Sequence, residues 1–242
     1  MKVIVIIPAA GLGTRMSAGA SAKKAKPARS KQFTEIGGVP ILLHTLRRFA
    51  AHPRVNEIYV ALRKTEIAPF RQTLEKDSRN LQARKIELVE GGEHRQESVT
   101  NALKAVTAEP EDVVLVHDAV RPFVSDEIIS EVIRGAEKYG AAIAGLPATD
   151  TVKQVDRTAD GALITATLPR ERVVLAQTPQ GFRHHVIRKA FDEAIADGFL
   201  GTDEASLVER SGKPVAVVMG SPRNIKITTP SDMELAEFYS RK

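Results

Sequence analysis

Apolar and polar stretches alternate along this chain in a way that is typical of strands joined by amphipathic helices. Lys2–Ile7 and Val113–His117 are continuous apolar runs, which favour strands buried on both faces of a parallel sheet. Shorter apolar segments predict strands over residues 56–62, 84–90, 141–146, 215–219 and 225–228. Amphipathic segments predict helices over 40–52, 67–76, 95–106, 185–196, 203–211 and 231–239, and another after Ser125; Ser125 and Ser231 are the expected caps of their helices. We therefore expect an α/β fold with a doubly wound, mostly parallel sheet.

The pattern changes after Pro147. Residues 151–155 and 163–168 alternate in type around Asp160-Gly161, which predicts a β-hairpin arm that projects from the main sheet. Isolated two-stranded hairpins are marginally stable in water, so we expect this arm to pack on another subunit. Because no Pro/Gly/Ser-rich linker divides the sequence, we expect one domain over residues 1–242, with residues 148–170 as a dimerisation arm.

Composition narrows the chemistry. The 242 residues are 43% hydrophobic and 27% charged, as in an ordinary globular protein. The absence of cysteine excludes thiol nucleophiles, disulfides and zinc sites with sulfur ligands, and the six histidines show no HExxH-type spacing. No apolar run has the length of a membrane span or of a signal peptide, so we expect a cytoplasmic protein with no membrane partner.

A glycine-rich loop follows the first strand, with the sequence Pro8-Ala9-Ala10-Gly11-Leu12-Gly13-Thr14-Arg15-Met16. Small residues let a backbone approach a ligand closely, and exposed N–H groups in a turn bind phosphate. The loop is not a dinucleotide fingerprint, because Met16 stands where the third glycine belongs, and the chain has no Walker Gly-Lys-Ser/Thr. Either a phosphate loop or a simple tight turn fits these residues.

Positive charge is concentrated next to this loop. Arg15, Lys23, Lys24, Lys26, Arg29 and Lys31 carry six charges, more than the net charge of +5 of the chain, and no acidic residue lies between Thr14 and Thr34. Binding of nucleic acid requires a basic face spread over an element, whereas this charge lies in one segment. We expect a polyphosphate ligand there and no nucleic acid; a solvated loop over residues 17–30 is the alternative.

Further polar clusters follow predicted strands, at Gly91–Arg95, Asp118–Arg121 and Asn224–Lys226. Ligands of open α/β sheets bind beyond the carboxyl ends of the strands, so these clusters are expected to share one crevice. Asp118 is a candidate Mg²⁺ ligand, completed by phosphate oxygens and water, or else a partner of Arg121. We interpret His117 as a core residue. A site with many cations and few bases or nucleophiles suits phosphoryl or nucleotidyl transfer.

At this point the sequence resembles a known family, the 2-C-methyl-D-erythritol 4-phosphate cytidylyltransferases. The resemblance runs from residue 3 to about 239. The matching motifs are Pro8-Ala9-Ala10-Gly11-x-Gly13-x-Arg15, Lys31-Gln32-Phe33, Gly91-Gly92-x-x-Arg95-x-x-Ser98-Val99, His117-Asp118-Ala119-x-Arg121-Pro122, Asp150-Thr151-x-Lys153, Thr178-Pro179-Gln180, Thr202-Asp203-Glu204-Ala205 and Asn224-Ile225-Lys226-Ile227-Thr228. The resemblance implies a Rossmann-like nucleotidyltransferase fold, a homodimer, and Mg²⁺-dependent transfer of CMP from CTP to methylerythritol phosphate with release of pyrophosphate.

The resemblance also implies roles for individual residues. Those implied to bind the nucleotide are Ala9, Ala10, Gly11, Gly13, Gly92 and Ser98. Those implied to hold the triphosphate and stabilise the reacting phosphate are Arg15, Lys31 and Lys226, with Asp118 on Mg²⁺. Those implied to contact the acceptor are Arg121, Thr178 and Thr202, with Thr151 and Arg170 reaching the acceptor site of the neighbouring subunit.

The chain departs from the family pattern at two places. The spacer over residues 17–30 is long and ends in Ser30 instead of the usual proline, so Lys23, Lys24 or Lys26 is an alternative to Lys31 as the phosphate ligand. Val120 replaces a usual alanine, which is a small change.

Three other functions stay open on the sequence alone. A cytidylyltransferase for another polyol phosphate, such as ribitol 5-phosphate, would share the CTP half and differ in the acceptor half. A nonenzymatic nucleotide sensor or RNA-binding module and a dinucleotide oxidoreductase are alternatives from other classes. The local placement of the charge argues against RNA binding. The missing third glycine argues against the oxidoreductase.

Overall fold

Eleven strands and seven helices make up the described part of the chain. The computed structural model describes residues 1–11, 30–77, 81 and 84–241, so Gly13, Arg15 and the lysines at 23, 24 and 26 lie outside the described residues. The strands are β1 Val3–Pro8, β2 Glu35–Ile36, β3 Val39–Pro40, β4 Glu57–Leu62, β5 Lys85–Glu90, β6 Val113–Val116, β7 Ala141–Pro147, β8 Val152–Thr158, β9 Gly161–Leu168, β10 Val174–Arg183 and β11 Ala216–Met219. The helices are α1 Ile41–Ala51, α2 Lys64–Lys76, α3 Arg95–Ala105, α4 Asp126–Tyr139, α5 His184–Ala196, α6 Glu204–Arg210 and α7 Pro230–Ser240, with single 3₁₀ turns at Lys31–Phe33 and Arg170–Arg172.

The central sheet has seven strands in the order β11-β7-β10-β6-β1-β4-β5. Strand β1 lies parallel to β4 and β6, β4 to β5 and β7 to β11, whereas β10 runs antiparallel to both β6 and β7. Side chains of β1 alternate between the two faces. Val5 and Ile7 join a core with α1 and α4, and Ile4 and Ile6 join a second core with α3 and α5. The predicted doubly wound, mostly parallel sheet is confirmed.

Strand β10 is the one strand of the central sheet that the sequence pattern does not predict. It crosses the middle of the sheet, yet it contains Pro179, which has no backbone N–H to donate. The pairing of β10 with β7 shifts register between Ala176 and Gln180, so the proline lies in an irregular part of the ladder. The bulge accommodates a residue that usually argues against a central strand.

Two predictions near the C-terminus are wrong. Residues 225–228 form no strand: Ile227 is buried in a small cluster with Ile36, Ile41 and Val120, so its apolar character reflects packing against β2, α1 and the segment after β6. The cap of α7 is Thr229 and not Ser231, because the Thr229 side chain accepts a hydrogen bond from Asp232 N and Pro230 occupies the first helical position. The other predicted elements are present, with ends that differ by a few residues at most.

Strands β8 and β9 form the predicted hairpin as a separate two-stranded sheet. They are joined by the two-residue turn Ala159-Asp160, since Thr158 pairs with Gly161. Two adjacent apolar side chains on β9, Leu163 and Ile164, are 66% and 63% exposed. None of the helices in the described ranges combines the length and the apolar character that a membrane span requires.

Candidate active site

Loops from four places in the chain line one cavity of about 200 Å³ at the carboxyl edge of the sheet. They are the segment Ala9–Gly11 after β1, the segment 92–95 after β5, the segment 118–120 after β6, and Lys226. Lys31 and Gln32 complete the lining. Each of the four predicted clusters therefore contributes described residues to one cavity.

The segment Ala9–Gly11 forms the floor of this cavity, and hydrogen bonds to its backbone carbonyls fix its position. The Ala9 carbonyl accepts a hydrogen bond from Gln32 Nε2, and the Ala10 carbonyl accepts one from Arg63 Nε at 2.9 Å. Gly91 packs against Ala10 so closely that a Cβ on this glycine would lie 2.6 Å from Ala10 Cβ. A larger residue at position 91 would therefore displace the floor.

Ser98 fixes the loop that follows β5. Its hydroxyl oxygen accepts a hydrogen bond from Gly92 N at 3.0 Å and donates one to His94 O at 3.1 Å. The side chain is buried at the first turn of α3 and lines the cavity. Ser98 thus shapes the wall formed by Gly92, and both residues line the first cavity.

Asp118 is the centre of a cluster of cations. Its Oδ2 atom lies 2.9 Å from Lys226 Nζ and accepts a hydrogen bond from Arg121 Nε at 3.2 Å, and its Oδ1 atom lies 3.4 Å from Arg95 Nε. Burial alone would raise the pKa of this carboxyl, which is 7% exposed, but the charges of Arg95, Lys226 and Arg121 hold the pKa well below its usual range. Asp118 is therefore an ionised carboxylate that carries three cationic neighbours.

Two hydrogen bonds that hold the arginines of this cluster were not predicted from the sequence. Arg95 Nη1 donates a hydrogen bond to Glu204 Oε1 at 2.5 Å, and Arg121 Nη1 donates one to Asn224 O at 2.7 Å. Both partners are remote in sequence, so only the folded chain reveals these pairs. The one available signal was the position of Arg95 and Glu204 within motifs, which does not indicate that the two residues meet.

A second cavity of about 220 Å³ adjoins the first. Arg121, Thr178 and Thr202 line it, so three of the five predicted acceptor residues come together. Arg95, Asp118 and Lys226 line both cavities.

The other two predicted acceptor residues, Thr151 and Arg170, line neither cavity. Both are exposed at the base of the arm, where Arg170 Nη1 donates a hydrogen bond to Thr149 O at 2.9 Å.

His117 is a satisfied core histidine, as its position at the end of an apolar strand predicts. Its Nε2–H donates to Arg121 O at 3.0 Å, which leaves Nδ1 to accept from the Thr178 hydroxyl at 3.1 Å. The Thr178 oxygen in turn accepts from Asp118 N at 3.0 Å. The neutral imidazole satisfies this chain of bonds. Burial lowers the pKa of His117 to about 4; the charges of Arg121 and Arg95 also lower it, whereas the hydrogen bond to Arg121 O and the charge of Asp118 act against the shift.

We expect the free energy of unfolding to fall on acidification between about pH 6.5 and pH 4. In this window His117 is protonated in the unfolded chain and neutral in the folded one. Its contribution to the slope of the unfolding free energy therefore approaches about 1.4 kcal/mol per pH unit. Urea titrations at a series of pH values measure it. The comparison is between the wild type and His117→Gln. His52 and His184, whose pKa values burial also lowers, contribute to the pH dependence of both proteins and therefore do not affect the difference. Equal pH slopes for the two proteins would contradict the prediction.

Comparison with known proteins identifies the family of the chain. The family model of 2-C-methyl-D-erythritol 4-phosphate cytidylyltransferase (IspD) matches residues 3–242. A protein of that name from Acidobacterium capsulatum is 57% identical over 242 residues, covering 100% of this chain and 98% of its own length. One from Solibacter usitatus is 52% identical, with coverage of 100% and 97%.

Solved structures give the same answer. The crystal structure of 4-diphosphocytidyl-2C-methyl-D-erythritol synthase from Anaerococcus prevotii superposes with a TM-score of 0.81 at 32% identity, covering 100% of this chain and 99% of its own. The Francisella tularensis 2-C-methyl-D-erythritol 4-phosphate cytidylyltransferase superposes with a TM-score of 0.79 at 35% identity, with coverage of 98% and 99%. The chain therefore belongs to the 2-C-methyl-D-erythritol 4-phosphate cytidylyltransferase family and is a nucleotidyltransferase of isoprenoid biosynthesis.

Proposed function

We propose that the first cavity binds CTP, that the second binds 2-C-methyl-D-erythritol 4-phosphate, and that CMP passes between them where they meet. The observation that carries this assignment is the set of residues common to both cavities, Arg95, Asp118 and Lys226. A phosphate from each substrate at that junction would face the same charged groups. Positioning of two anions against fixed cations is the main task in this type of reaction.

On the nucleotide side, Ala9, Ala10, Gly11, Gly92 and Ser98 line the first cavity and are assigned to cytidine. Lys31 lines the same cavity and is assigned to the triphosphate. Gly13 keeps its proposed role in nucleotide binding and Arg15 its proposed role on the triphosphate, although both lie outside the described residues. Val120 also lines this cavity, so the one substitution noted in the Asp118 motif lies at the site.

Mg²⁺ is the proposed cofactor, with Asp118 as its protein ligand. No group of three or more His, Asp or Glu side chains in the described ranges is arranged to hold a metal ion. A single carboxylate nevertheless suits Mg²⁺, which usually takes one or two carboxylates together with substrate phosphates and water. The bound ion would neutralise phosphate charge and orient the triphosphate.

The reaction then needs no base. An oxygen of the acceptor phosphate, already anionic, forms a bond to the α-phosphorus of CTP, the bond from that phosphorus to the bridging oxygen of the β-phosphate breaks, and pyrophosphate leaves with the electron pair. Negative charge grows on the oxygens of the α-phosphate in the transition state. Lys226 is assigned to stabilise that charge, and Arg121, Thr178 and Thr202 to hold the acceptor.

The arm is proposed to complete the site of a second subunit. We assign Leu163 and Ile164 to a homodimer contact, because both side chains are largely exposed in one subunit. Thr151 and Arg170, at the base of the same arm, would then serve the second cavity of the partner. The single domain over residues 1–242 with residues 148–170 as a dimerisation arm is part of this proposal.

Ile164→Glu is expected to convert the dimer to a monomer and to lower turnover, because a charge replaces an apolar contact that the arm cannot bury alone. Sedimentation velocity measures the mass, and a coupled assay the rate. The matched control is Ile195→Glu on α5, where the isoleucine is also about half exposed at 53% but lies outside the arm. A monomeric wild-type enzyme, or an Ile164→Glu dimer with normal turnover, would contradict the proposal.

Release of pyrophosphate from CTP and Mg²⁺ tests the function. We expect release with 2-C-methyl-D-erythritol 4-phosphate, and none with ribitol 5-phosphate or without an acceptor. Release with ribitol 5-phosphate alone would reassign the acceptor residues. We place the activity in the cytoplasm, where CTP is available, with no nucleic acid or membrane as a partner.

A further inference from the structure

Glu204 is a buried carboxylate whose position is fixed from two sides. It begins α6, is 1% exposed, and accepts the 2.5 Å hydrogen bond from Arg95 Nη1, while its Oε2 atom has no hydrogen-bond partner within the described part of the chain. Gln180 on β10 holds the start of the helix, because its Nε2 donates to Asp203 Oδ2 at 2.7 Å and its Oε1 accepts from Ala205 N at 3.0 Å. Burial raises the pKa of Glu204 against the opposing charge of Arg95.

The two oxygens of Asp118 have different surroundings. Oδ2 contacts Lys226 Nζ at 2.9 Å and Arg121 Nε at 3.2 Å. Among the described residues, Oδ1 receives only the 3.4 Å contact from Arg95 Nε, which is long for a charge-assisted hydrogen bond. Oδ1 is therefore the oxygen of Asp118 that a cation can approach with least competition.

The Arg95 guanidinium group lies between Asp118 and Glu204, and the two carboxylates compete for it. The short bond to Glu204 draws the group away from Asp118. A guanidinium without its second partner tends to form a bidentate pair with the remaining carboxylate. Without the charge on Glu204, Arg95 would close on Asp118 and occupy Oδ1.

We propose that Glu204 is a positioning residue that holds the Arg95 guanidinium away from Asp118 Oδ1 and so keeps this oxygen available to a divalent cation. The proposal rests on the assignment of Mg²⁺ to Asp118. It gives the Thr202–Ala205 motif a second role besides the acceptor contact assigned to Thr202.

Calorimetric titration of the full-length enzyme with CTP, in Mg²⁺ and in EDTA, tests the proposal without catalysis. The quantity compared is the ratio of the two affinities. We expect Mg²⁺ to strengthen CTP binding to the wild type, and Glu204→Gln to reduce that enhancement by about 10- to 100-fold, as for changes behind a metal ligand. The enhancement should return in Glu204→Gln/Arg95→Gln, because no guanidinium is left to occupy Oδ1. The matched control, Asp77→Asn, removes a carboxylate from Arg47 outside both cavities and should leave the ratio unchanged.

Asp118→Asn separates the two claims. Loss of the enhancement in Asp118→Asn with full retention in Glu204→Gln would overturn the role of Glu204 and leave the metal site standing. Retention in Asp118→Asn would overturn the metal site itself. If the Mg²⁺ enhancement of CTP binding stays low in Glu204→Gln/Arg95→Gln, the role of Glu204 is merely structural and the proposal is contradicted. If Glu204→Gln does not fold, the double variant decides, since it must match the wild-type enhancement.

Discussion

Asp118→Asn is expected to lower kcat/KM for cytidylyl transfer by at least about 100-fold. The amide keeps the shape of the side chain but removes the charge that the proposed Mg²⁺ binds. It also leaves Arg95, Arg121 and Lys226 without their common counterion, which lies within 3.4 Å of each of them. Steady-state kinetics with both substrates measures the loss.

Asp112→Asn is the control for this variant. Asp112 is also a buried aspartate, but its oxygens accept hydrogen bonds from the backbone N–H groups of Lys2 and Glu109, and it lines neither cavity. Its replacement should lower stability and spare kcat. An Asp118→Asn enzyme with a native circular dichroism spectrum and a near wild-type rate would remove Asp118 from the reaction.

Lys226→Ala is expected to lower kcat by about 100- to 1,000-fold, the range for loss of one group that stabilises transition-state charge. The amine lines both cavities and lies 2.9 Å from Asp118 Oδ2. Its side chain is partly open to solvent, so the variant should fold normally. The control is Lys213→Ala, an exposed lysine outside both cavities. An effect confined to KM, with kcat unchanged, would assign Lys226 to substrate binding only.

The fold was largely predictable because strands buried on both faces give continuous apolar runs and helices packed on a sheet give apolar stripes. The runs that became β1 and β6, and the stripe of α4, are of this kind. Strand β10 was missed because Thr178-Pro179 interrupts its pattern. A strand was wrongly predicted around Ile227 because a buried residue outside regular structure gives the same apolar signal as a strand residue. The local apolar pattern indicates that a residue is buried, but it does not indicate which element the residue packs against.

The candidate site was predictable to the extent that strand ends determine it. Asp118 and Gly92 lie in the crevice because each follows a parallel strand at the same edge of the sheet. The pair Arg95–Glu204 was not predictable, because it joins residues 109 positions apart through a helix start set by Gln180. Contacts of this kind arise from packing, which one sequence does not reveal.

The stereochemical course of transfer tests direct attack at the junction of the two cavities. CTP that carries sulfur at a chiral α-phosphorus would be turned over with 2-C-methyl-D-erythritol 4-phosphate, and the configuration of the product determined by ³¹P NMR. Ser98, His117 and Thr178 are buried with their polar atoms engaged in hydrogen bonds, and the acceptor phosphate is already an anionic nucleophile. A single in-line displacement is therefore expected, and it would invert the configuration at phosphorus. Retention of configuration would require a covalent enzyme intermediate and would contradict direct transfer.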